Sequence, residues 1–182
     1  IQTGEARRIL EGHRTTIPEN IAITVDNQSW HLDGPDSPFL LVGADGITLD
    51  KDGEWLYYAP LNGRSIYRIP VKHLIDGSLS DADLDIYIER YSDKPNTGGF
   101  SIDKAGNIYF TEVDNRNVGV VWHDTRKYEQ FAFHPDLNWP DGVSFSNDGY
   151  MYVSAAKLFG VEKKEPYVIF RFKPVTEGIF GH

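Results

Sequence analysis

Apolar and polar residues alternate along this chain in short stretches with a period of two: Ile47-Thr48-Leu49, Phe100-Ser101-Ile102 and Val143-Ser144-Phe145. Such a period sends successive side chains to opposite faces of a strand. Each stretch runs into a cluster of turn residues: Asp50-Lys51-Asp52-Gly53, Asp103-Lys104-Ala105-Gly106-Asn107 and Ser146-Asn147-Asp148-Gly149. Tight reversals place residues at positive φ, which Gly, Asn and Asp tolerate best. An aromatic-rich stretch follows each cluster: Trp55-Leu56-Tyr57-Tyr58-Ala59, Ile108-Tyr109-Phe110-Thr111 and Tyr150-Met151-Tyr152-Val153-Ser154. The pattern predicts three hairpins.

The hairpins are copies of one unit. Their opening positions, Asp45, Gly98 and Asp141, lie 53 and 43 residues apart. That is close to the repeat length of propeller blades, about 40–50 residues. A third strand is expected after each hairpin, at 65–69, 119–122 and 167–172, and a fourth, more polar one after the first two, at 85–90 and 128–133. Four antiparallel strands per unit build a blade, so the expected fold is an all-β propeller. The expected organisation is blades at 45–97, 98–140 and 141–182. Residues 1–44 would hold the outer strand of a preceding blade at Ala6–Leu10 and an inserted hairpin over 21–31. Residues 71–84 are read as one or two helical turns on the blade rim. Three blades do not close a ring, which predicts the C-terminal half of a six-bladed propeller, completed by a missing N-terminal half or by another copy. The chain starts at Ile1 rather than Met, in keeping with an upstream part removed.

Composition narrows the function classes. With 18 Lys+Arg against 27 Asp+Glu the chain carries a formal charge of −9, which opposes binding to nucleic acid or an anionic membrane surface. The absence of cysteine excludes disulfides, thiolate nucleophiles and cysteine metal sites. The six histidines are scattered without metal-ligand spacing. No nucleophile elbow, phosphate-binding loop or dinucleotide fingerprint occurs. Asp50–Glu54 lacks the ligand order of a calcium loop and reads as a hairpin turn.

Several stretches carry a family resemblance. Gly43-Ala44-Asp45-Gly46-Ile47, Leu56-Tyr57-Tyr58-Ala59-Pro60-Leu61, Tyr67-Arg68-Ile69-Pro70, Trp139-Pro140-Asp141-Gly142, Gly149-Tyr150-Met151-Tyr152-Val153-Ser154 and Pro166-Tyr167-Val168-Ile169-Phe170-Arg171 resemble the major royal jelly/yellow protein family, in order, over residues 5–173. The resemblance implies a six-bladed propeller about twice this length, commonly extracytoplasmic (periplasmic or secreted), with roles that include amine binding. It also implies kinship in fold with gluconolactonase-like propellers, in which a calcium or zinc ion sits at the channel mouth on residues that open the inner strands.

Asp45 and Asp141 occupy that opening position here. They are candidate ligand contacts and candidate ligands for Ca²⁺ or another divalent cation; alternatively, each Asp-Gly pair only shapes a tight turn. The second copy has Gly98 there, which coordinates nothing, with Asn96 nearby as a partial substitute. Ala156 stands where relatives tend to carry Asn. Trp139 and Phe159 are the aromatic candidates for stacking on a ligand, while Tyr58, Phe100, Phe110 and Phe145 are expected to pack between blades. Three readings stay open: a royal jelly/yellow-like propeller binding a small molecule at its channel, a metal-dependent lactonase-like hydrolase completed by the missing half, or a structural or interaction propeller. The residues do not decide whether the protein is an enzyme.

Overall fold

The computed structural model describes residues 6–158 and 166–180. The described chain is all-β apart from two helical turns. A small hairpin, β1 (Thr24–Val25) and β2 (Gln28–Ser29), comes first. The first blade is β3 (Ala44–Leu49), β4 (Trp55–Pro60), β5 (Ser65–Pro70) and β6 (Glu89–Asp93), paired antiparallel in that order. The second is β7 (Thr97–Ile102), β8 (Ile108–Glu112), β9 (Asn117–Val121) and β10 (Tyr128–Phe133). The third has three strands, β11 (Pro140–Phe145), β12 (Met151–Ala155) and β13 (Val168–Phe172). Inner strand β7 lies between β3 and β11, so the blades stand side by side as an arc of a propeller.

Period-two alternation produces this stacking. In β8, Ile108 and Phe110 face the first blade and join Tyr57, Ala59, Ile66, Tyr91, Phe100, Ile102 and Val121 in one core. Tyr109, one residue out of phase, faces the third blade with Val118, Val120, Phe145, Met151 and Val153. Both faces of the second blade are therefore covered, and all five residues of β8 are buried. The buried carboxylate of Glu112 is satisfied by the side chains of Asn115, Asn117 and Tyr128. Tyr58 departs from the expected packing between blades: it lies on the other face of the first blade with Leu10, Ile69 and Leu84.

Two expected strands are not formed as read. Residues 6–9 have no strand structure; Arg7 instead donates to the carbonyls of Asp76 and Leu79, and Leu10 is buried against the first blade. The strand expected at 85–90 begins only at Glu89, because a helical turn (α2, Asp81–Asp85) consumes the residues before it. Ser80 caps that turn by accepting from the Asp83 N–H, and the Asp83 carboxylate accepts from Ser80. An earlier turn (α1, Val71–Leu74) completes the rim.

The tips follow from their residues. Asp50 Oδ1 accepts from the N–H groups of Glu54 and Trp55, and Gly53 sits at φ 68°, so Asp50–Glu54 is a hairpin turn. Asp26 and Asn27 take φ 50° and 63°, the mirror-image turn that joins β1 to β2.

Candidate functional site

All three inner strands open with the same irregularity. The pairing slips by one residue between Ala44 and Gly46, between Thr97 and Phe100, and between Pro140 and Val143. A bulge of one residue bends a strand and re-aims its side chains, and such bulges concentrate at rims and sites. Here it falls on the positions of Asp45, Gly98–Gly99 and Asp141–Gly142, at the end of the arc where the inner strands begin.

Glycine lets these openings approach one another. A Cβ on Gly46 would lie 2.1 Å from a ring carbon of Phe100 and 2.9 Å from the Gly98 carbonyl oxygen. One on Gly99 would lie 2.9 Å from the Asp141 carbonyl oxygen. A side chain at Gly98 would meet the Thr111 hydroxyl at 3.0 Å and the Asp141 carboxylate at 3.2 Å. The blank at Gly98 is therefore occupied from the neighbouring strand, and the Thr111 hydroxyl donates to the Asp141 carbonyl at 2.9 Å.

Asp45 and Asp141 both remain exposed at this mouth. Surrounding protein partly desolvates Asp45 and raises its pKa; the negative charge of Asp141 adds to the rise, and Lys94 opposes it. The charge of Asp141 thus reaches Asp45 across β7.

Lys94, in the connection from β6 to β7, lies near enough to act on Asp45, and no pattern in the sequence announces it. It is 2% exposed, and its ammonium donates to the carbonyls of Leu61, Gly63 and Pro95 at 3.0–3.2 Å. Burial pushes its pKa down to about 7, against the raising influence of Glu19, Asp114 and Asp45. Asp114 was also missed. Burial raises it to about 6, although it accepts from the Thr24 N–H at 3.1 Å and from the Asn96 amide at 2.9 Å. A lone Lys or Asp in a polar loop carries no pattern that announces its burial.

Residues 16–43 lie over these openings as a cap. The Thr16 carbonyl accepts from the Ala44 N–H at 2.7 Å, and buried Asn62 accepts from the Val42 N–H and donates to the carbonyls of Ile21 and Leu40. Asn96 is fully buried and donates to the Ala22 carbonyl at 2.9 Å as well as to Asp114, while its Oδ1 has no hydrogen-bond partner. It ties the cap to the blades more than it serves the mouth. Trp139 is also committed to the cap. Its backbone is left-handed at φ 48°, it is 5% exposed, and its ring meets Trp30 edge-on at 4.4 Å beside Ile23, Leu61 and Val113. Of the five sequence candidates, Asp45 and Asp141 come together at the mouth, Asn96 and Trp139 are held beneath the cap, and Phe159 lies outside the described residues. No group of three or more His, Asp or Glu side chains that could hold a metal gathers among the described residues.

Solved structures with the same architecture include the calcium-binding protein regucalcin of Agrobacterium tumefaciens. It is 16% identical with a TM-score of 0.55, over 75% of this chain and 48% of that one. A luciferin-regenerating enzyme is 14% identical with a TM-score of 0.59, over 94% of this chain and 66% of that one. This chain spans about half the length of the first of these, in keeping with a partial propeller. At these identities the likeness concerns the fold alone. No curated protein matches the chain in sequence. Residues 8–168, which contain all three repeated hairpins and the cap, match the family model for Major royal jelly protein, and the chain belongs to that family.

Proposed function

We propose that this chain is part of an extracytoplasmic propeller that binds a small organic cation, such as a protonated amine, at the channel mouth. Asp45 and Asp141 are its carboxylate contacts. The observation that carries this reading is the pair itself: two solvent-accessible carboxylates flanking one inner strand, close enough that Asp141 raises the pKa of Asp45. A bound cation relieves that repulsion. The excess negative charge of the chain favours the approach of a cation over that of an anion. The remaining blades come from the polypeptide that completes the ring, and they supply the other wall of the channel.

A divalent cation fits this mouth less well. Ca²⁺ takes about 6–8 oxygen ligands. The inner strands offer two carboxylates and a glycine, and the amide oxygen of Asn96, though unpartnered, is fully buried beneath the cap. A lactonase-like centre would need ligands from outside this chain.

Calorimetry of the intact protein against primary amines and sugar lactones tests the reading. Amines bind saturably, and Asp45→Asn and Asp141→Asn each weaken them by about tenfold, on the order of 1.4 kcal/mol. A panel without amine binding, or binding indifferent to both substitutions, overturns it. Saturable Ca²⁺ binding lost in the same variants restores the metal reading.

A further inference from the structure

A cleft lies at the opposite end of the arc from the mouth, between the β3–β4 turn of the first blade and the β7–β8 turn of the second. It measures about 290 Å³. A cavity of about 150 Å³ holds one benzene molecule, so this one admits roughly a dozen heavy atoms. Asp50, Asp52 and Glu54 line one wall and Lys104 and His123 the other. Buried Tyr57 and the shielded guanidinium of Arg68 form the floor.

The floor is fixed before anything binds. The Arg68 guanidinium lies 4.0 Å over the Trp55 ring and 5.1 Å from the Tyr91 ring, and its side chain is 13% exposed. It donates through Nε and Nη2 to the Glu89 carboxylate, at 2.8 and 2.7 Å. Among the described residues Nη1 reaches only the Tyr57 hydroxyl, at a long 3.4 Å, so it keeps donor capacity for a ligand. Arg126 donates to the same Glu89 at 2.6 Å. Two guanidinium groups therefore share one carboxylate, and the floor carries a surplus positive charge.

The walls differ in sign. On the first blade Asp50, Asp52 and Glu54 outnumber Lys51. Asp50 is oriented by accepting the Glu54 and Trp55 N–H groups through Oδ1, which leaves Oδ2 for the cleft. On the second blade stand Lys104, paired with Glu177 at 2.9 Å, and His123. The Asp103 carboxylate on that side is spent on the N–H groups of Ala105 and Asn107 and on the Asn107 amide, each at 2.9 Å. Gly106, at φ 88°, lets His123 close in, since a Cβ there would lie 2.7 Å from the imidazole Nδ1.

We propose that this cleft binds a small zwitterionic amino acid, its carboxylate held by Arg68 and its ammonium group by the wall of Asp50, Asp52 and Glu54. A simple anion is repelled by that wall, and a simple cation by the floor. A molecule that carries both charges a few bonds apart finds a partner for each, which offsets the hydration it loses. The volume keeps its side chain small. The site goes beyond the cation reading of the mouth and does not depend on it; the six residues of β7 hold the two about 20 Å apart.

Backbone-amide NMR of the intact protein tests it with L-alanine, propionate and ethylamine, and reads the cleft separately from the mouth. L-Alanine shifts the amides of Asp52, Trp55, Ala105 and His123 saturably. Propionate and ethylamine, each with one of the two charges, act there about tenfold more weakly, whatever ethylamine does at the mouth. Ala105→Trp, at an exposed position whose contact with Asp103 is made by the backbone, fills the cleft and abolishes the shifts. Asp52→Asn combined with Glu54→Gln, both exposed, weakens L-alanine by about tenfold. The proposal is overturned if L-alanine gives no saturable shift at these amides into the high millimolar range, or if Ala105→Trp leaves the shifts intact. A single-charge probe that matches L-alanine at the cleft, or an affinity indifferent to the loss of both carboxylates, overturns it equally.

Discussion

Lys94 makes the interior of the capped end measurably sensitive to pH. Its ammonium is 2% exposed and held by three backbone carbonyls, and burial pushes its pKa down to about 7. In the unfolded chain the same amine titrates at about 10.4. The sign follows from linkage. Between these two values the unfolded state binds more protons than the native state, so stability rises with pH. The contribution is fully present above the unfolded value and is lost as pH falls through about 7. The limiting slope is about 1.4 kcal/mol per pH unit, and rounding near the lower value leaves a gain of about 2 kcal/mol between pH 7 and pH 9. For a chain of this size that corresponds to about 4–8 °C in Tm. Equilibrium urea unfolding at pH 7, 8 and 9, followed by tryptophan fluorescence, measures it directly, and an unchanged slope against urea shows that the unfolded state is the same throughout. Lys94→Gln keeps a donor for the carbonyls but has no proton to lose, so its stability stays nearly level over the same range. A wild-type stability that is flat or falling from pH 7 to 9, or a slope that survives in Lys94→Gln, would refute the account of Lys94 as a desolvated amine.

The other predictions concern the blade contacts and the cap. Gly46→Ala drives a methyl into the Phe100 ring and costs on the order of 3 kcal/mol by urea midpoint, whereas Gly142→Ala, at the same repeat position, meets only the Ser154 hydroxyl, at 3.3 Å, among the described residues and costs under about 1 kcal/mol. Equal effects at the two positions would contradict the stacking. Phe110→Ala opens a cavity between the first two blades and lowers stability by about 3–5 kcal/mol, read in the same assay. Asp114, raised to about 6, gives stability that is present below pH 4 and lost as pH rises through 6; from pH 7 to pH 5 it returns about 1 kcal/mol. The difference between wild type and Asp114→Asn over that range isolates the contribution from other carboxylates, and parallel pH profiles would count against it.

Much of the architecture is legible locally because blades are made of local hairpins. Alternation in Phe100-Ser101-Ile102 and the continuous apolar run Ile108-Tyr109-Phe110, with a Gly-containing turn between, specify two paired strands. The repeat then implies stacking, since one hairpin cannot bury both of its faces. The strand misread at 85–90 had a local counter-signal, Ser80-Asp81-Ala82-Asp83, the spacing of a helix cap. The candidate site is less legible. Asp45 and Asp141 were visible because they recur at one repeat position, and that recurrence brings them to one end of the arc. Nothing recurrent marks Lys94 or Asp114, and nothing local says that the ring of Trp139 is already taken by Trp30, 109 residues earlier.

Most strands, the turns and the repetition of the hairpin follow from the sequence alone, together with the acidic character of two inner-strand openings. Those depend on side-chain period, turn chemistry and charge, which act over a few residues. The tertiary structure alone decided which polar groups lose their water. Folding residues 16–43 back over the openings buries Asn96 and Trp139 and leaves Asp45 and Asp141 exposed, while the loop carbonyls of Leu61 and Gly63 close over Lys94. Desolvation is a property of everything packed around a group, and most of what surrounds these residues lies far from them in the chain.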